Sequence, residues 1–136
     1  MNTREYGRLG EESAARFLES EGYDIVGRNI YVSHDEIDVV AENDSFVVFA
    51  EVKTRRQFPD KNTDFGTPAS AVNVLKQSNL IRSTEQYLLE HPTNKSPRID
   101  VIEVYTDPSV DTYKVLEIRH IENAVTKRGK FSRKPR

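Results

Sequence analysis

Glu51 and Lys53 interrupt an otherwise apolar run, FVVFAEVKTR, from Phe46 to Arg55. Phe46 to Ala50 has the composition of a strand covered on both faces. Strand alternation puts Glu51 and Lys53 on the face of Val47 and Phe49, where unpaired charge is costly. Asp38 lies thirteen residues before Glu51, on the strand-like run EIDVVA, and shares one face of that run with Glu36. If the two runs form a hairpin, Asp38 and Glu51 meet at the same level. Two carboxylates so held repel each other, and one must take up a proton unless a cation lies between them. Mg²⁺ and Mn²⁺ favour such hard oxygen ligands, with water and substrate phosphate completing the shell. Lys53 would point into the same site, where it could hold a water or stabilise charge developing on a phosphate. The plainer alternative is a structural Glu51–Lys53 ion pair at an exposed strand end.

The elements that must position these residues can be read from pattern. Glu11, Ala14, Ala15 and Leu18 fall on one face of a helix expected from Thr3 to Glu21, with Gly22 as its stop. Three strands should follow as a meander: Tyr23 to Val32, Glu36 to Ala41, and Phe46 to Thr54. A polar, irregular stretch then runs from Arg55 to Gly66. Thr67 and Pro68 resemble an N-cap and first helical residue, so a second helix is expected from there to Glu90. Its apolar stripe is read as Val74, Ile81 and Leu88, with Leu75 and Leu80 beside it. Ile99 to Tyr105 and Tyr113 to Ile121 read as the last two strands.

Composition narrows the function classes. With 136 residues, 36% hydrophobic and 31% charged, the chain suits one soluble domain of residues 1–124. The absence of cysteine excludes disulfide frameworks and thiolate zinc sites. No apolar run reaches the ~20 residues needed to span a bilayer, and the N-terminus lacks a signal-peptide layout. A cytoplasmic protein without membrane attachment is expected. The net charge of −2 hides an asymmetry: residues 127–136, KRGKFSRKPR, hold six of the 20 basic residues and no acid. The segment 125–136 is therefore expected to be a basic, flexible tail, suited either to a polyanion such as nucleic acid or simply to solubility.

Asp38 together with Glu51-Val52-Lys53 resembles the PD-(D/E)xK nuclease motif, and the element order matches that superfamily's core. More narrowly, GRLGEESAARFL (Gly7 to Leu18), GYDIVGRN (Gly22 to Asn29), EIDVV, FAEVKTR, the FGTP–Lys76 region and RIDVI (Arg98 to Ile102) resemble the YraN-type family. That is a widespread family of uncharacterised bacterial proteins related to archaeal Holliday junction resolvases. The resemblance covers roughly residues 4 to 124. It implies an α/β fold with a restriction-endonuclease-like core, a mixed sheet in the order αβββαβ(β), and helices packed on the sheet. It also implies that Asp38 and Glu51 ligate Mg²⁺ or Mn²⁺, with the Val52 carbonyl and Glu11 as further ligands and Lys53 as the catalytic lysine. Glu36 fits the family pattern but could merely orient a neighbour. Lys76 could contact phosphate or be a surface lysine. One departure stands out: Asp35 occupies the place before E-I-D where the family usually has glycine.

Around this centre, Arg55 and Arg56 could grip the nucleic-acid backbone beside a scissile phosphate. Thr54 adjoins the motif in a supporting place. Arg98 and Asp100 alternate onto one strand face and could form a mutual ion pair in support of the site. His34, His91 and His120 read as surface or structural histidines. The expected function is a metal-dependent endonuclease hydrolysing DNA phosphodiesters, in branched or structured DNA, and a two-fold-symmetric junction would suit a homodimer. The alternatives are a non-catalytic nucleic-acid-binding protein on the same fold, and a protein-interaction module whose buried charges are structural.

Overall fold

Asn2 starts the first helix in both sequence and space. Its side chain accepts the Glu5 N–H while the Glu5 carboxylate accepts the Asn2 N–H, a reciprocal cap. The computed structural model describes residues 1–60 and 73–126. In it, α1 spans Thr3–Ser20 and stops at Gly22, whose φ of 95° lets the Tyr23 N–H turn back to the Leu18 carbonyl. Then follow β1 (Asp24–Val32), β2 (Asp35–Glu42) and β3 (Phe46–Arg56). The two-residue turn Ser33-His34 joins β1 to β2. Asn43 joins β2 to β3, its side chain accepting the Ser45 and Phe46 N–H groups. The second half contains α2 (Val74–Glu90), β4 (Ser96–Thr106) and β5 (Val115–Ile121).

The five strands form one sheet in the order β1-β2-β3-β4-β5. Neighbours are antiparallel except β3 and β4, which run parallel in register from Phe46↔Ser96 to Arg56↔Thr106. The expected meander, the mixed sheet and the alternation of helices with strands are all present. α1 covers one face, where Ala14 and Leu18 pack with Val39, Ala41, Val48, Ala50, Ile102 and Val104. α2 covers the other, where Leu80 and Tyr87 pack with Val40, Val47, Phe49, Ile99 and Val101. Both faces of the central strands are thus buried, which explains the unbroken apolar run that ends at Ala50. Among the described residues, no helix is long and apolar enough to cross a membrane.

Three details differ from the sequence reading. The helix expected from Thr67 begins at Val74, because Asn73 is extended (φ −82°, ψ 173°) and its side chain caps the Lys76 N–H. Thr67 and Pro68 themselves lie outside the described residues. The apolar stripe is also displaced, for Val74 and Leu75 are 78% and 71% exposed. The buried face carries Leu80, Ser83, Thr84 and Tyr87 instead, with Ile81 and Leu88 at its margin. Two small hydroxyl residues in that face hid it from a hydrophobicity pattern. Finally, Ala124 and Val125 close onto the α2-side core, so packing reaches one residue past the expected end at 124. Residues 127–136, the basic run, lie outside the described residues.

α1 approaches β3 most closely at Gly10. A Cβ there would sit 1.8 Å from Thr54 Oγ1, so helix and strand touch where only hydrogen fits. Gly10→Ala should therefore destabilise the fold by about 1–3 kcal/mol despite alanine's better helix propensity. Urea unfolding checks this; unchanged stability would show that Thr54 moves aside freely.

Candidate active site

The site forms where β2 parts from β3. Their ladder runs Glu42↔Val47 to Val39↔Ala50 and then stops; one further step would pair Asp38 with Glu51. Instead the Asp38 Oδ2 accepts the Val52 N–H at 2.9 Å, so a side chain replaces the lost ladder partner. The ladder to β1 also skips Asp38, passing from Arg28↔Val39 to Ile30↔Ile37. The residue opposite Asp38 on β1 is Asn29, held in the left-handed region at φ 50°. Alternation breaks at this point: Ile37 joins the α2-side core, whereas Val39 joins the α1-side core. The period-two placement of Glu36 and Asp38 on one face does not describe this deformed stretch.

The Asp38 and Glu51 carboxyl groups meet in this gap, and Glu51 is only 5% exposed. Burial, and then the neighbouring Glu51 charge, push the Asp38 pKa up to about 8. Burial likewise raises Glu51, while Lys76 and Lys53 oppose the rise. Lys76 lies on the α2 face shared by Leu80 and Ser83, so it reaches inward, and its Nζ is 3.8 Å from Glu51 Oε2. Lys76 is thus partly exposed and leans toward Glu51. Lys53 and Glu11 both line a cavity of about 830 Å³ that also borders Val52, Thr54 and Arg56. The Glu11 charge raises both Asp38 and Glu51.

Glu11 also has a partner that pattern reading missed. The Asn29 side-chain amide donates to Glu11 Oε1 at 2.9 Å and to Glu36 Oε2 at 2.7 Å, tying two acids together beside Asp38. The signal was present in the sequence: asparagine is depleted inside strands and tolerates the left-handed region. Asp35, the departure from the family pattern, faces α2 instead, where Ser83 donates to it at 3.3 Å and Arg82 lies 3.8 Å away.

The remaining candidates sit further out. Arg55 lies 3.4 Å from the buried Glu103, which also accepts from the Tyr105 hydroxyl at 3.0 Å. Glu103 pairs with Lys53 across the parallel register and was not foreseen as a buried acid. The Arg56 guanidinium donates to the Val110 carbonyl at 2.5 Å and still borders the large cavity. Thr54 packs on Gly10. Arg98 and Asp100 form the expected ion pair, with Arg98 Nε 2.9 Å from Asp100 Oδ1 and Nη2 2.9 Å from Oδ2. Arg98 also donates to the Tyr23 hydroxyl, and Asp100 accepts the Asn123 N–H and lies 2.7 Å from His120 Nε2. This network stands with α1's core on the sheet face opposite Glu51, apart from the Asp38–Glu51 gap.

The donor set suits a hard divalent cation. Glu51 Oε1 is buried with no hydrogen-bond partner, an unusual state for a carboxylate oxygen. The N–H and C=O of one strand residue point to the same edge, so the Val52 carbonyl faces the gap beside Asp38. Among the described residues, no three acidic or histidine side chains converge closely enough to hold a metal alone. Water and phosphate oxygens would complete such a shell. In metal-free protein the raised Asp38 pKa has a consequence of definite sign. A raised folded-state pKa contributes stability that is complete below the unfolded value near 4 and lost as pH rises through about 8. Urea unfolding in EDTA should therefore show wild type weakening between pH 6 and 8.5, with Asp38→Asn weakening less and surpassing wild type at pH 8.5. Parallel profiles for the two proteins would contradict the buried acid pair.

Comparison with known proteins identifies the family. The model of the uncharacterised protein family UPF0102 matches residues 10–104. A UPF0102 protein of Caldicellulosiruptor saccharolyticus is 39% identical over 125 residues, covering 91% of this chain and 99% of the relative. One from Symbiobacterium thermophilum is 40% identical over 123 residues, covering 90% and 97%. Among solved structures, SfsA of Pyrococcus furiosus in complex with Ca²⁺ aligns with a TM-score of 0.39 at 15% identity, covering 89% of this chain and 65% of that one. On the extent of its match to the family model and to full-length relatives, the chain belongs to family UPF0102.

Proposed function

We propose that the chain is a Mg²⁺- or Mn²⁺-dependent nuclease that hydrolyses DNA phosphodiester bonds in branched or otherwise structured DNA. The observation that carries this reading is the meeting of two carboxyl groups, the partly buried Asp38 and the buried Glu51, flanked by Lys53 and Lys76 and retaining an unpartnered Glu51 oxygen. Two repelling acids are stable together only with a proton or a cation between them, and each burial step makes a cation the better solution as pH rises.

In this reading Asp38, Glu51 and the Val52 carbonyl hold the metal, with Glu11 acting on the metal or its waters. The ion supplies Lewis acidity and a more acidic bound water. Lys53 donates to the attacking water or to a phosphate oxygen, where its charge is complementary to the transition state. Lys76 lies against Glu51 and offsets its charge, and with a cation bound there it would be free to contact a phosphate oxygen. Asn29 keeps Glu11 and Glu36 from adding their repulsion freely to the pair.

The second reading, a non-catalytic nucleic-acid-binding protein, draws on the Lys76–Glu51 contact, which partly satisfies the site's charge without metal. Incubation of linear, flapped and four-way DNA with protein and Mn²⁺ separates the two. Wild type should cut at least one substrate, and Asp38→Asn and Lys53→Ala should lower the rate at least ~100-fold, the scale of losing one transition-state contact or more. Mn²⁺ should also raise the melting temperature of wild type but not of Asp38→Asn. Equal trace activity in all three proteins would exclude the nuclease.

A further inference from the structure

Two glycines occupy the interior of α1, and packing explains only one of them. Gly10 is required by Thr54, but a Cβ at Gly7 would meet no protein atom within 4 Å. Glycine inside a helix is unfavourable relative to alanine, so bare backbone at Gly7 needs a reason outside the packed chain. Cavities lie on both sides of it. Gly7 and Glu11 border the 830 Å³ cavity containing Lys53 and Arg56. The same two residues border a second cavity of about 360 Å³ containing Arg4, Arg8 and Tyr31. The missing side chain makes Gly7 a low saddle between two hollows, each with two basic residues on its wall.

We propose that one sugar–phosphate strand of a nucleic acid crosses α1 at Gly7, passing from the Arg4–Arg8 hollow to the Lys53–Arg56 hollow. Arg4 and Arg8 are one helical turn apart on a shared face, are exposed, and make no ion pair among the described residues. They are available to successive phosphates. Tyr31, 73% exposed on β1, offers a ring on which a base can stack. Three acids also border the path: Glu11 and Glu36, each giving one oxygen to the Asn29 amide, and Asp111 beside Arg56 in the larger cavity. The strand leaving the saddle would arrive directly at Lys53. The crossing takes its ligand class from the nuclease reading but needs no metal.

The test measures binding, in EDTA, of a labelled single-stranded oligonucleotide and its duplex to the full chain. Gly7→Leu fills the saddle without touching a charge. It should leave the melting temperature at or above that of wild type while weakening at least one probe about tenfold or more; Gly7→Ala should weaken it less. Replacing both Arg4 and Arg8 by alanine should lower the slope of log affinity against log salt by about 1.4–1.8, the contribution of two phosphate contacts. The probe that loses more shows whether the strand comes from single-stranded or duplex nucleic acid. Wild-type affinity of Gly7→Leu for both probes would overturn the crossing, and so would a lowered melting temperature, which would mean that protein atoms need the space. If wild type binds neither probe, the crossing falls, while the nuclease reading stands or falls on cleavage of flapped and four-way DNA with Mn²⁺. If Gly7-dependent binding is found but Mn²⁺ never brings cleavage, only the nuclease reading falls.

Discussion

Holding the carboxyl group of Asp38 against the buried one of Glu51 is the constraint around which this molecule is arranged. The sheet could have continued its β2–β3 ladder past Val39↔Ala50, and ordinary strand residues would have done so. Instead the ladder ends one step short of Asp38 and Glu51, and a side-chain oxygen satisfies the next backbone N–H. The irregularities around this point share that origin: the left-handed Asn29 opposite Asp38, the broken alternation between Ile37 and Val39, and the inward reach of Lys76. A central sheet with both faces covered supplies rigidity on one side of the gap. The absent ladder supplies room on the other.

A second group of buried charges shows what a purely structural solution looks like. Asp100 is fully buried, yet both of its oxygens are occupied by Arg98, His120 and the Asn123 N–H. Burial opposes its ionisation, but those hydrogen bonds hold its pKa below the ordinary carboxylate value. Asp38 has one backbone donor, like-charged neighbours and a pKa displaced the other way. The contrast rests on hydrogen bonds and on the sign of the neighbouring charge, because Asp100 is the more deeply buried of the two. Buried charge with every acceptor filled fixes a fold; buried charge with acceptors left over is held ready for something.

Much of this was legible in the residues. The thirteen-residue separation of Asp38 and Glu51 foretold a hairpin level, because a short turn at Asn43 leaves little freedom of register. Alternation likewise foretold the Arg98–Asp100 pair. What escaped notice has specific causes. The inner face of α2 was misplaced because Ser83 and Thr84 lie buried while Val74 and Leu75 do not, and a hydrophobicity stripe follows greasiness rather than contact. Lys76 consequently could not be assigned to the site from pattern. Asn29 and Glu103 depend on neighbours distant in sequence, Glu11 and Arg55 respectively, and no local window contains both members of either pair.

The parallel pairing of β3 with β4 carries a kinetic meaning. Phe46 meets Ser96 across about fifty residues of chain, a long loop to close before any contact rewards it. The β1–β3 meander has only short turns and can form by itself, bringing Asp38 and Glu51 together early. Lys76 can reach them only once the crossover through α2 has docked. Between those two moments the acids face each other with Lys53 but without Lys76, and protonation of one acid would ease that stage. The order of assembly thus exposes the nascent chain to an electrostatic problem that the Lys76 contact eases in the folded protein.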